Sequence, residues 1–222
     1  MPHRAVIRDS ETTSVRVVFD ASSKTGNFKS LNECLETDPN LNPNVLDVIL
    51  RFRELEIAFC GDIEKAFLVI SIAKEDRDYL RFLWFGNDEK SCYIMRMCRF
   101  PFGTAVSPFL LAATIKYHIK GYKEDHPESF KMLNSSIYVD DLFYGSKTVE
   151  DAYRLSVDAV NIFRDAGMNL RKLKSNSDEL NTLRMKSNIK GKDDFNKETK
   201  FFSMIWNPSN DVIKLNMKPV QE

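Results

Sequence analysis

Two aspartates stand side by side in Tyr138-Val139-Asp140-Asp141, between short apolar runs. Adjacent carboxylates at a tight turn repel each other. Successive residues of a strand point to opposite faces, so one of the pair can face a site while the other faces its support. A divalent cation removes the repulsion. Magnesium suits such a place, because it takes oxygen ligands and keeps waters and phosphates in its other positions. Taken alone, the pair also suits an ordinary Asx-type surface turn. A third aspartate, Asp62, ends the apolar run EIAFCGD. A carboxylate at the end of a buried strand needs a partner, although Asp62 could equally cap a helix at IEKAF. If its strand lies beside the 135–146 segment, Asp62 and Asp140 can share two metals about 3.5–4 Å apart. That arrangement activates an attacking hydroxyl and stabilises a leaving pyrophosphate.

Other chemistries have little support. Cys34, Cys60, Cys92 and Cys98 form no CxxC pair, and His3, His118 and His126 lack zinc-ligand spacing. The expected state of the cysteines is buried free thiols in a reducing compartment.

The elements that must position the aspartates can be read from pattern. VRVVFDAS (15–22) reads as a strand. A helix is expected from Asn42, with Pro43 first, through VLDVILRFREL, burying Val45, Ile49 and Phe52. A strand then enters Asp62, followed by a short helical turn. YLRFLWF and CYIMRMCRF read as a hairpin around GNDEKS. Ser107 is expected to cap a helix with Pro108 at its first position. Residues 135–146 read as a hairpin with Asp-Asp at or beside the turn. Thr148 and Asp151 form a capping-box pattern for a helix that stops at Gly167. LRKLKSN follows as a basic stretch. Residues 175–199 read as loop plus a short helix, and 200–217 as a final hairpin turning at Asn-Pro-Ser-Asn.

The composition can supply a sizeable core: of 222 residues, 43% are hydrophobic and 16 are Phe, which excludes a disordered chain. No apolar run of membrane-spanning length and no secretory leader are evident, so no membrane partner is expected. Lys plus Arg (32) balance Asp plus Glu (32), which argues against a small, uniformly basic nucleic-acid binder. The charges are segregated, with 11 acids against 5 bases over 31–80 and 9 bases against 5 acids over 171–200. A nucleic-acid enzyme needs both, as metal ligands and basic walls. Solvated faces explain the pattern equally well.

The order FCGDIEKAF, FPFGTAVSPF, YVDD, LRKLKSN and KFFSMIW resembles the successive palm motifs of reverse transcriptases. The flanks PHRAVIRDSETTSVRVVFDAS and SLNECLETDPNLNP are similar to those of the BEL/Pao class of long-terminal-repeat retrotransposons. The resemblance implies an α+β right-hand polymerase palm with partial fingers and no thumb. Fingers would span 1–60 and 72–100, palm 61–71 and 101–200, and a primer-grip-like hairpin 200–217. It implies RNA-directed DNA polymerase activity: template-directed addition of deoxynucleotides to a primer 3′-hydroxyl, with two Mg²⁺ ions that Mn²⁺ could replace. A cytoplasmic, intracellular setting is implied by the resemblance alone.

The resemblance also assigns roles. Asp62 and Asp140 would be the main metal ligands, with Asp141 supporting them. Phe67 would be the aromatic gate that rejects a ribose 2′-hydroxyl. The backbone of Ile63, Glu64, Lys65 and Ala66 would approach the triphosphate, and Arg16 would contact it. Phe102 would sit at the nucleotide. Gly103, Tyr138 and Trp206 would lie along the RNA or DNA template-primer. Lys172 would donate a proton near the pyrophosphate, with Lys174 as its competitor. Protease, RNase H and integrase would accompany the domain in a Pol polyprotein, of which this chain would be a fragment. A catalytically inactive remnant that keeps the fold and weak nucleic-acid binding is the alternative, and an RNA-dependent RNA polymerase is a second rival, which Phe67 disfavours. The chain departs from its class at Leu173, where tryptophan is usual, and at Ser203, where glycine is usual.

Overall fold

The computed structural model describes residues 1–7, 15–86, 91–187, 189, 198–202 and 204–215. Ser203 and most of the basic segment after Lys186 lie outside them. In chain order the elements are β1 (His3–Ile7), β2 (Val15–Phe19), α1 (Leu31–Cys34), α2 (Val45–Arg53), β3 (Ile57–Ile63), α3 (Ala66–Val69), a 3-10 turn (Arg77–Leu80), β4 (Arg81–Phe85), β5 (Cys92–Arg96) and α4 (Ser107–Lys120). There follow α5 (Pro127–Ser136), β6 (Ile137–Tyr138), β7 (Asp141–Ser146), α6 (Val149–Asp165), β8 (Leu170–Ser175), α7 (Asp178–Lys186), β9 (Thr199–Phe201), β10 (Met204–Asn207) and β11 (Val212–Leu215).

Contacts divide the chain into two compact units, 1–41 with 65–115, and 42–64 with 116–222. The first holds two antiparallel ribbons, β1–β2 and β4–β5. His3, Phe19, Phe82 and Trp84 form an aromatic cluster within it.

The second unit is built on a four-stranded antiparallel sheet in the order β6-β7-β3-β8. Ala58, Cys60 and Phe143 pack with Val48 and Phe52 of α2 and with Trp206 of β10. Alternation puts Phe59 on the other face, where it lies under the Arg184 guanidinium of α7. Helix α6 buries Ala152, Leu155, Ala159, Ile162 and Phe163, a 3.6-period stripe. Residues 42–60, expected among the fingers, thus group with this sheet, because α2 covers one of its faces.

Several expectations need correction. Asn44, not Asn42, caps α2, its side chain accepting from the Leu46 N–H at 2.8 Å. The buried stripe of α2 is Val48 and Phe52, since that is the side facing the sheet. Ser107 does not cap α4; its hydroxyl donates to the Pro101 carbonyl at 3.0 Å. Only Cys60 is a buried thiol, pushed up to about 12 by burial, whereas Cys34, Cys92 and Cys98 are exposed. The last hairpin gains β9 as a third strand. Among the described residues no helix is long and apolar enough to cross a membrane.

Candidate functional site

Strand β3 carries Asp62 into register with Asp141 of β7, while Tyr138 of β6 pairs with Asp141 from the other side. Val139 and Asp140 form the two-residue turn between β6 and β7. Val139 sits at φ 58°, a left-handed backbone that a β-branched residue adopts only under strain. Two bonds hold it there. The Val139 N–H donates to Asn42 Oδ1 at 3.1 Å, and the Ile63 N–H donates to the Asp140 carbonyl at 2.8 Å. The sequence pattern therefore puts Asp-Asp at the turn as expected, with Asp140 in it and Asp141 beginning the strand.

Two like charges directly opposite across a sheet are unfavourable. Burial pushes the Asp141 carboxyl up to about 7, and the charges of Asp140 and Asp62 push the same way against Lys172. Strand β8 supplies the compensating cations. Its register on β3 shifts by one residue between Cys60 and Asp62, a β-bulge at Lys172, whose φ is 50°. A bulge re-aims side chains. Here Arg171 stands opposite Asp62, and Lys172 is also turned toward it, Nζ 3.3 Å from Oδ1. Gly61 makes room: a Cβ there would meet Leu173 Cδ2 at 2.8 Å and the Arg171 carbonyl at 3.3 Å.

Asp62 Oδ1 is buried and accepts no hydrogen bond. Among the described residues no three His, Cys, Asp or Glu side chains converge closely enough to hold a metal ion by themselves. The donor set nevertheless fits a hard divalent cation: carboxylate oxygens, one of them buried with Lys172 as an ion-pair neighbour but no hydrogen bond, in a cluster whose like charges a cation would relieve. Lys174, the competitor of Lys172, is 7% exposed, while the Lys172 side chain is half exposed beside Asp62.

The remaining candidates distribute as follows. Ile63 and Glu64 belong to the sheet unit. Their N–H groups donate to the Asp140 and Asn169 carbonyls, both at 2.8 Å. Arg16, Lys65, Ala66, Phe67, Phe102 and Gly103 belong to the other unit. There Phe67 is buried and meets Phe102 edge-on, with ring centroids 4.5 Å apart, while Phe102 is exposed. Arg16 is exposed on β2. Gly103, at φ 100°, is required by its own chain: a Cβ would lie 2.7 Å from the Phe19 carbonyl oxygen. Tyr138 packs edge-on against Phe202.

Trp206 is fully buried between Phe52 and the sheet, its Nε1 donating to Asp211 Oδ1 at 2.9 Å. A fully buried indole supports the hairpin from within. Sequence reasoning missed Arg171 and the Asn42 clamp. The first had a visible signal: Leu170 and Leu173 are both buried three residues apart, which breaks strand alternation and marks a bulge. The second had none, being a contact across 97 residues.

Residues 14–185 match the family model described as Reverse transcriptase (RNA-dependent DNA polymerase). Curated proteins gave no match. Among solved structures the chain is similar to a foamy viral protease-reverse transcriptase in complex with an RNA/DNA hybrid, at 16% identity and TM-score 0.59, covering 92% of this chain and 22% of that one. It is likewise similar to a foamy viral protease-reverse transcriptase dRH in complex with double-stranded DNA, at 16% identity and TM-score 0.61, covering 92% and 29%. The chain thus spans less than a third of either, and at that identity the likeness establishes the fold. Since the family model covers most of the sequence and includes every carboxylate of the site, the chain belongs to the reverse transcriptase family.

Proposed function

We propose that this chain is the RNA-directed DNA polymerase domain of a long-terminal-repeat retrotransposon of the BEL/Pao class, acting within a longer Pol polyprotein. The observation that carries the catalytic reading is the register pairing of Asp62 with Asp141 beside a turn that fixes Asp140. Asp62 and Asp140 would hold Mg²⁺, with Asp141 supporting them. Bound there, two such ions would neutralise the carboxylates and polarise the primer 3′-hydroxyl and the leaving pyrophosphate.

The chain's own residues supply positioning and charge, which is most of what phosphoryl transfer asks of a protein. The strained turn fixes where the Asp140 carboxylate begins. Lys172 brings a half-exposed ammonium to the acid cluster, able to hand a proton to the departing phosphate. The exposure of Lys172 and the burial of Lys174 favour Lys172 for that role. The Phe67–Phe102 pair supports a rigid aromatic wall for the sugar, and Arg16 a phosphate contact on the ribbon. Template-primer and dNTPs would be the partners. Fingers would come from the ribbon unit and palm from the sheet unit, and a cytoplasmic setting fits this chemistry.

The test is primer extension on an RNA template with dNTPs and Mg²⁺, comparing wild type with Asp140→Asn. Extension by wild type alone is expected, with Asp140→Asn still folded. Wild-type rates in Asp140→Asn would overturn the metal assignment. No extension by wild type, whether tested alone or fused to the flanking regions of an active relative, would overturn the polymerase reading.

A further inference from the structure

Arg171 faces two acids at once. Its Nε, which is buried and makes no hydrogen bond, forms an ion pair with Asp62 Oδ2 at 3.5 Å, and its Nη1 lies 3.0 Å from Glu64 Oε1. Glu64 is held in turn: Asn169 Nδ2 donates to its Oε2 at 2.9 Å, and the Glu64 N–H donates to the Asn169 carbonyl at 2.8 Å. The Arg171 side chain is 26% exposed, against 50% for Lys172, which faces the other oxygen of Asp62. One oxygen of Asp62 therefore meets a guanidinium anchored from behind, and the other a half-exposed ammonium.

Electrostatics alone makes this arrangement costly for a metal site. A fixed cation beside a ligand carboxylate repels an incoming cation. What the guanidinium can give in return is orientation, since a planar group spanning Glu64 and Asp62 fixes where its charge lies beside the Asp62 carboxylate, which a flexible point charge does not.

We propose that Arg171, anchored by Glu64, is a positioning residue that sets the orientation of the Asp62 carboxylate for metal binding. Glu64 and Asn169 serve the site only through it. This rests on the reading of Asp62 as a metal ligand.

Charge and orientation predict opposite signs, which makes the proposal testable without catalysis. The measurement is the Mg²⁺-dependent thermal shift of the whole chain, without nucleotide or primer. It compares wild type, Arg171→Ala, Arg171→Lys, Glu64→Gln and the double variant Arg171→Ala/Glu64→Gln. Melting in metal-free buffer shows that each variant folds, and Glu64→Gln and Arg171→Lys keep the size and shape that Arg171→Ala removes. Arg171→Ala and Glu64→Gln are each expected to weaken apparent Mg²⁺ affinity about tenfold, the usual scale for groups that orient a metal ligand. The double variant is expected to be no weaker than Arg171→Ala, because Glu64 acts through Arg171. Arg171→Lys, which keeps the charge but loses the fork, is expected to stay weak. In primer extension the same variants should lower kcat and leave KM for dNTP unchanged.

Unchanged or tighter Mg²⁺ binding in Arg171→Ala, or additive losses in the double variant, would overturn the proposal while leaving the metal reading intact. No Mg²⁺ response in wild type would overturn the metal reading and this inference with it.

Discussion

Phe67 is a residue whose burial and proposed task can be separated. Its ring is 4% exposed and rests on Phe102, so it is held rigidly. Phe67→Val should remove the bulk that rejects a ribose 2′-hydroxyl. The dNTP-over-NTP preference is expected to fall on the order of tenfold or more, read as the ratio of incorporation efficiencies. The cavity should also cost about 2–4 kcal/mol in a denaturant melt. Lost stability with an unchanged ratio would leave Phe67 as a packing residue only.

At the scale of elements, β8 shows what could be read and what could not. By sequence, LRKLKSN is legible only as a basic stretch, although the three-residue spacing of Leu170 and Leu173 departs from strand alternation. That spacing does not tell which acid the re-aimed Lys172 meets, because that depends on which strand pairs with β8. Gly61→Ala should crowd Leu173 and the Arg171 backbone, at a cost of about 1–3 kcal/mol. It should also move Lys172 away from Asp62, so its loss of primer extension should exceed that of an equally destabilised Val48→Ala. Helix α5 went unread because its buried Ser129 and Ser136 interrupt the apolar period. The carboxylate hairpin was legible, since a β-branched residue followed by two acids between apolar runs leaves few alternatives.

Across the whole second unit, the final sheet is tied to α2 by Arg53 and Asp211 over 158 residues of chain. Burial pushes the Asp211 carboxyl up, but hydrogen bonds from Arg53 and Trp206 outweigh it and hold it below the ordinary carboxylate range. A depressed folded pKa contributes stability that is present above the unfolded value, about 3.9, and lost as pH falls through the folded one. Asp211→Asn keeps the acceptor for Trp206 and tolerates the φ of 53° found there. It should therefore lose only the ion pair, which is part-exposed and worth less than about 1 kcal/mol. The wild-type advantage in thermal melts should be visible at pH 7 and vanish in strong acid. An advantage that persists there would assign it to something other than the carboxylate.

The strain at Val139 has a kinetic consequence. A valine at positive φ returns to extended backbone whenever its restraints open, so the turn behaves as a sprung catch rather than a rigid peg. Its two latches, Asn42 on the Val139 amide and the Ile63 amide on the Asp140 carbonyl, hold it against a relaxing force of about 1–3 kcal/mol. Asn42→Ala should release one latch, and the Ile63 amide should then exchange its hydrogen with solvent roughly tenfold or more faster, while the amides of α6 keep their rate. Val139→Gly should do the reverse, slowing exchange at Ile63 by removing the recoil. How long Asp140 stays where a reaction can use it would thus depend on two hydrogen bonds, one of them from a side chain 97 residues away in the chain.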